Sequence, residues 1–95
     1  MLGGPPLVAE LRFDPPRLWR FDRAHAEAKV AIECEGGVWS GGAHTRGRGY
    51  TEDCQKYNRA AALGWRVFRL TINMLREDPV GNLTPIKNAI EGETG

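Results

Sequence analysis

The segment Lys29-Val30-Ala31-Ile32-Glu33-Cys34-Glu35 constrains this chain most. Val30, Ile32 and Cys34 alternate with Ala31, Glu33 and Glu35, the two-residue period of a strand. Such a strand buries one face and presents two carboxylates on the other. A helix is a poor fit, because β-branched residues and alternating polarity both favour extended backbone.

The flanking sequence supplies the partners. Residues 7–13 (LVAELRF) predict a first strand, ended by Asp14-Pro15-Pro16, since prolines cannot donate to a ladder. Residues 18–23 (LWRFDR) predict a second strand, and His25 to Ala28 a short connection into the third, over residues 29–35. Residues 36–49 hold six of the chain's twelve glycines and predict a loop carrying Trp39, His44, Arg46 and Arg48. Thr51 to Leu63 reads as a helix with Thr51 as N-cap, Glu52 and Asp53 in its first turn and Gly64 as its stop. Cys54, Tyr57 and Ala61 share one of its faces at helical spacing. Trp65 to Thr71 predicts a fourth strand and residues 72–77 a single helical turn. Asp78-Pro79 and Gly81-Asn82 predict a break before a last short helix from Thr84 to Ile90.

Three strands joined by short turns favour an antiparallel meander, and a helix between the third and fourth permits a right-handed crossover. The expected class is α/β or α+β, with a mixed four-stranded sheet in one domain over residues 1–95. Residues 1–6 are a loose arm and residues 78–95 a carboxy-terminal turn and short helix.

The net charge of +1 conceals an asymmetry: residues 1–76 carry +4 and residues 77–95 carry −3. The positive part suits a polyanionic partner without demonstrating one. No apolar run reaches the roughly 18–20 residues that span a bilayer, and the amino terminus lacks the pattern of a secretory leader. The expected setting is cytoplasmic. Two cysteines are too few for a disulfide framework, and burial in the core is the expected place for both.

Asp22 near the end of the second strand, with Glu33 and Glu35 on the third, forms a candidate acid cluster. If the strands pair as a hairpin, Asp22 can come close to Glu33, depending on register. Crowded carboxylates repel, and a divalent cation removes that cost. The competing reading is that Glu33 and Glu35 form the solvent face of a half-buried strand.

The runs Trp19-Arg20-Phe21-Asp22 and Lys29-Val30-Ala31-Ile32-Glu33-Cys34-Glu35-Gly36-Gly37 resemble the core of the PD-(D/E)XK nuclease superfamily. His44, Asp53, Lys56 and Gly64-Trp65-Arg66-Val67-Phe68-Arg69 follow in order. Together they are similar to its small Vsr-like, VRR-NUC-like and Holliday-junction-resolvase-like branches, common in phage and bacterial genomes, over about residues 8–71. The resemblance implies a restriction-endonuclease-like fold and a DNA endonuclease, with branched or mismatched DNA as candidate substrates, leaving a 5′-phosphate by in-line attack of water. It implies Mg²⁺ or Mn²⁺ held by Asp22, Glu33 and the carbonyl of Cys34, with Glu35 binding a second metal or orienting water.

The chain departs from that pattern twice. The motif lysine is replaced by Glu35, so the positive charge is expected from Lys56, with His44 or Arg46 as alternatives. Lys56 as a solvated lysine, or one paired with Asp53, is the opposing reading. The usual leading helix is also missing; Glu10 is a stand-in for its acid, and a second copy is expected to cover the bare sheet face, giving a homodimer. Arg46 and Arg48 are candidate phosphate contacts and Trp39 a base-stacking residue, against a loop anchor for Trp39. Two other functions stay open. One is a non-catalytic DNA-binding or partner-binding module on a degenerate nuclease fold. The other is a zinc-stabilised module using Cys34, His44 and Cys54, with His25 as fourth ligand, although no close cysteine pair is present.

Overall fold

The computed structural model describes residues 7–35 and 48–92. In chain order these form β1 (Val8–Arg12), β2 (Arg20–His25), β3 (Val30–Glu35), α1 (Arg48–Ala62), β4 (Arg66–Thr71), α2 (Ile72–Glu77) and α3 (Pro79–Glu91). The strands form one sheet in the order β1-β2-β3-β4. β1 and β2 are antiparallel, as are β2 and β3, while β4 runs parallel to β3. The expected mixed four-stranded sheet, with a helix between its third and fourth strands, is therefore present.

The pleat sorts β3 and β4 onto two faces. On one, Ala31 packs with Phe21, Ala24 and Ala60 of α1, ringed by Leu11, Phe13, Trp65 and Val67. Phe21 stacks on Phe13 at 4.2 Å and meets Trp65 at 5.0 Å between centroids. On the other, Val30, Ile32 and Leu70 pack against Ile86 of α3, with Met74 and Leu75 of α2 at the margin. Each fully buried Phe or Val contributes about 1.5–3 kcal/mol relative to exposure. α3 thus covers the β3–β4 part of this second face.

Helix limits differ from expectation at both helical ends of the chain. α1 begins at Arg48, so Thr51 lies inside it rather than capping it. α3 begins at Pro79, and Gly81-Asn82 lies within it. Asp78 is its N-cap: its Oδ1 accepts from the Gly81 amide at 3.0 Å, and Asn82 Nδ2 reaches the Asp78 carbonyl at 2.9 Å. A Cβ on residue 81 would collide with the Asp78 carboxylate. Gly81 is thus a fit for the cap, not a break. Gly64, at φ +91°, does end α1 as its sequence position predicts.

The expected interior cysteines are a correction: Cys34 and Cys54 are both exposed. α1 turns Ala60 fully inward, with Lys56 and Tyr57 partly buried, while Cys54 and Ala61 face solvent. The predicted Cys54-Tyr57-Ala61 face is rotated by about one residue, because small Ala60 lets the helix approach the Phe21 cluster. No described helix is long and apolar enough to cross a membrane.

Candidate active site at the junction of β2, β3 and α1

β2 and β3 are in register at Arg23↔Ile32 and Ala24↔Ala31. One further step sets Asp22 opposite Glu33. There the two side chains replace the backbone ladder. Glu33 Oε2 accepts from the Asp22 amide at 2.9 Å, and Asp22 Oδ2 accepts from the Cys34 amide at 2.8 Å. Each acid is hooked onto the other's strand. The cause is visible in β2, where burial repeats every three residues rather than two: Phe21 and Ala24 both reach the same core. That irregularity frees the amides that the carboxylates then satisfy.

Glu33 is 7 % exposed, the one buried charged residue among those described. Its burial is tolerable because α1 delivers two further donors to one oxygen. Lys56 Nζ lies 2.9 Å and the Tyr57 hydroxyl 2.7 Å from Glu33 Oε1. Consecutive helix residues diverge by about 100° around the axis, so Lys56 and Tyr57 straddle the carboxylate rather than stack on it. Lys56 Nζ also lies 5.7 Å from the Phe21 ring centre and 5.2 Å from that of Tyr57. It is neither a free lysine nor the partner of Asp53.

Glu35, two residues along β3, is turned to a different cation. Arg69 Nε on β4 donates to its Oε2 at 2.9 Å, and the guanidinium covers the Tyr57 ring at 4.7 Å. Tyr57 therefore stands between the two acids of β3, its hydroxyl on one and its ring against the arginine of the other. Burial, reinforced by its hydrogen bond to Glu33, pushes the Tyr57 phenol far above its usual range. The bond to Glu35 raises Arg69 further. Partial burial, then the negative charge of Asp22, raises the Cys34 thiol. Cys34 is a poor thiolate there.

Among the described residues no three His, Cys, Asp or Glu side chains converge on one ion-sized point. The donors available at the junction are fewer: Asp22 Oδ1 accepts no hydrogen bond from the described residues, and Glu33 Oε2 accepts only one. Two carboxylates of this kind fit Mg²⁺, which keeps several waters and takes few protein ligands. They do not fit structural zinc, which wants a closed set of four. His25 is engaged otherwise, its Nδ1 accepting from the Ala28 amide at 3.1 Å.

The structure thus brings together Asp22, Glu33 and Lys56, and sets Glu35 beside them on Arg69. Glu10 lies apart, 3.3 Å from Arg20 on the exposed β1–β2 ribbon. Trp39, His44 and Arg46 lie outside the described residues, and Arg48 begins α1. Sequence reasoning placed Tyr57 only on a packing face and gave Arg69 little weight. The available signal for Tyr57 was its adjacency to Lys56; Arg69 had none, since its place beside β3 comes from the parallel pairing of β4. No protein-family model, curated protein or solved structure matches the chain.

Proposed function

We propose that this chain is a divalent-metal-dependent DNA endonuclease hydrolysing phosphodiester bonds, on the restriction-endonuclease-like plan its sequence resembles. The observation that carries the reading is that Asp22 of β2 and Glu33 of β3 each seat a carboxylate on an amide of the other strand, with Lys56 of α1 on Glu33. Two carboxylates and an ammonium group suit displacement at a phosphodiester. The acids would hold Mg²⁺ or Mn²⁺, and the cation opposes charge developing on the phosphate. Lys56 comes from α1 instead of the strand, replacing the lysine absent at Glu35.

The roles divide by position. Asp22 and Glu33 would hold the metal through Asp22 Oδ1 and the remaining lone pair of Glu33 Oε2, with the carbonyl of Cys34 as a further oxygen. When bound there, a divalent ion supplies a Lewis acid and lowers the pKa of a nearby water. Lys56 neutralises Glu33 within the fold and would turn toward the incoming phosphate. Tyr57 keeps Glu33 oriented while Lys56 moves. Glu35, held by Arg69, would orient the attacking water or a second ion. By their place in sequence between β3 and the body of α1, His44, Arg46, Arg48 and Trp39 would contact the DNA.

Incubation of plasmid and branched DNA with the full chain in Mg²⁺ or Mn²⁺ tests this. Cleavage is expected, with roughly a 10³-fold loss, about 4 kcal/mol in the barrier, in Asp22→Ala or Glu33→Ala. Lys56→Gln should cost roughly 10²-fold or more in kcat. Undiminished cleavage by the acid variants would refute the assignment. One feature favours a second reading, a non-catalytic DNA-binding module: three internal donors, the Asp22 amide, Lys56 and the Tyr57 hydroxyl, already balance the Glu33 carboxylate. That reading predicts salt-sensitive DNA binding with no cleavage in any metal.

A further inference from the structure

The ribbon of β1 and β2 carries four arginines, Arg12, Arg17, Arg20 and Arg23, all exposed. Their placement is costly. Arg12 and Arg20 are direct register partners, and like charges facing each other across an antiparallel pair repel. Carboxylates do little to relieve this. Among the described residues Arg12 Nη2 donates only to backbone carbonyls, of Pro16 at 3.4 Å and Arg17 at 3.3 Å. Arg23 Nη1 donates to the Asp22 carbonyl at 2.9 Å. Arg17 reaches Asp14 at 3.5 Å, but Asp14 is already taken by Arg59, whose Nε and Nη2 lie 3.0 and 3.4 Å from its two oxygens. The Arg20–Glu10 pair, at 3.3 Å, joins two half-exposed side chains, a type worth little in water. Arg17 also lies 4.7 Å over the Trp19 ring, which holds its planar head without cancelling its charge.

The ribbon shares β2 with the acid junction but turns its arginines to the other face of the sheet: Arg23 is the register partner of Ile32, on the α3 side, whereas Glu33 faces α1. Arg23 directly follows Asp22, and Arg20 precedes it by two residues, about 7 Å of strand. Burial in β2 repeats every three residues, so Arg20 and Arg23 are exposed at the same phase of that repeat.

We propose that the β1–β2 ribbon is a phosphate-binding track for a DNA backbone, with Arg12 and Arg23 as its principal contacts and Arg17 and Arg20 extending it. The partner it fits is the sugar–phosphate chain of DNA, read without regard to sequence, because guanidinium forks match phosphate oxygens and no ribbon residue is committed to base edges. The inference rests on the proposed function only for the substrate; it assigns the surface that holds that substrate.

Fluorescence anisotropy of a labelled duplex, titrated with the full chain in EDTA over a NaCl series, tests it. Each phosphate contact removed should lower the slope of log K against log salt by about 0.9. Arg12→Gln/Arg23→Gln should therefore lose about 1.8 from the slope, whereas Lys87→Gln on α3 should leave it unchanged. Arg12→Gln should melt no lower than the wild type, since it relieves the repulsion with Arg20. Wild-type slope and affinity in the double variant would overturn the track, as would an equal loss in Lys87→Gln. If ribbon variants bind normally while Asp22→Ala abolishes cleavage, the track falls and the nuclease stands. If the slope drops as expected but the wild type cleaves nothing in any metal, the track stands and the nuclease falls.

Discussion

The two faces of β3 solve burial in opposite ways. Toward α3, Val30 and Ile32 meet Leu70 and Ile86, all apolar. Toward α1, the same strand sets Ala31 and then Glu33, and the helix answers with Ala60, Tyr57 and Lys56. The first face needs only volume and shape, and many aliphatic sets would serve it. The second buries a carboxylate, which is tolerable only with matched donors. A buried ion pair is a poor way to gain stability, since an apolar substitute of similar size is often as good. Its presence on one face and absence from the other marks the α1 side as the chemically specialised one.

The sharpest way to break this contrast is to orphan the charge. Lys56→Met leaves Glu33 buried with only two neutral donors, the Tyr57 hydroxyl and the Asp22 amide, and should destabilise the fold by about 3–5 kcal/mol in urea denaturation. Adding Glu33→Met should recover most of that loss, which a simple packing role for Lys56 would not allow. On the other face, Ile86→Ala should cost about 2–4 kcal/mol as a cavity, and no second polar change should rescue it. Tyr57→Phe, which removes one of three donors on Glu33, should cost about 1–2 kcal/mol.

The pH dependence sharpens the contrast further. The Tyr57 phenol is held above its usual 10.0 in the folded chain. Its neutral form is favoured by folding, so the contribution is complete below pH 10 and is lost as pH rises beyond it, where the unfolded phenol ionises first. Stability should fall above pH 10 in the wild type and fall less in Tyr57→Phe. The smallest effect concerns Cys34, exposed but raised by burial and by Asp22. Its alkylation should be slower than that of a free thiol and should quicken severalfold in Asp22→Asn.

Much of this was legible in the chain. The alternation in residues 29–35 located β3 and a short connection predicted its hairpin with β2, but the turn lies at residues 26–29, one step beyond the expected His25 to Ala28, and the register that sets Asp22 opposite Glu33 was left open by the sequence. The crossover helix followed from the Gly-rich segment and the Gly64 stop. The rest depended on contacts that periodicity does not encode. Which face α1 buries was decided by Ala60 against Phe21, a one-residue rotation that brought Tyr57 and Lys56 to Glu33 and turned Cys54 outward. Gly81 reads as a breaker until Asp78 is seen to occupy the space its side chain would need. The pairing of Glu35 with Arg69 needed β4 to lie parallel to β3, which topology allowed but did not require.

Direct titration of the metal-free chain with Mn²⁺, followed by electron paramagnetic resonance, tests the central claim most closely. The account predicts a saturable site that is lost in Asp22→Asn and in Glu33→Gln, and that binds more tightly in Lys56→Gln, where no ammonium group competes for Glu33. Mn²⁺ binding that is absent from the wild type, or indifferent to all three substitutions, would contradict it.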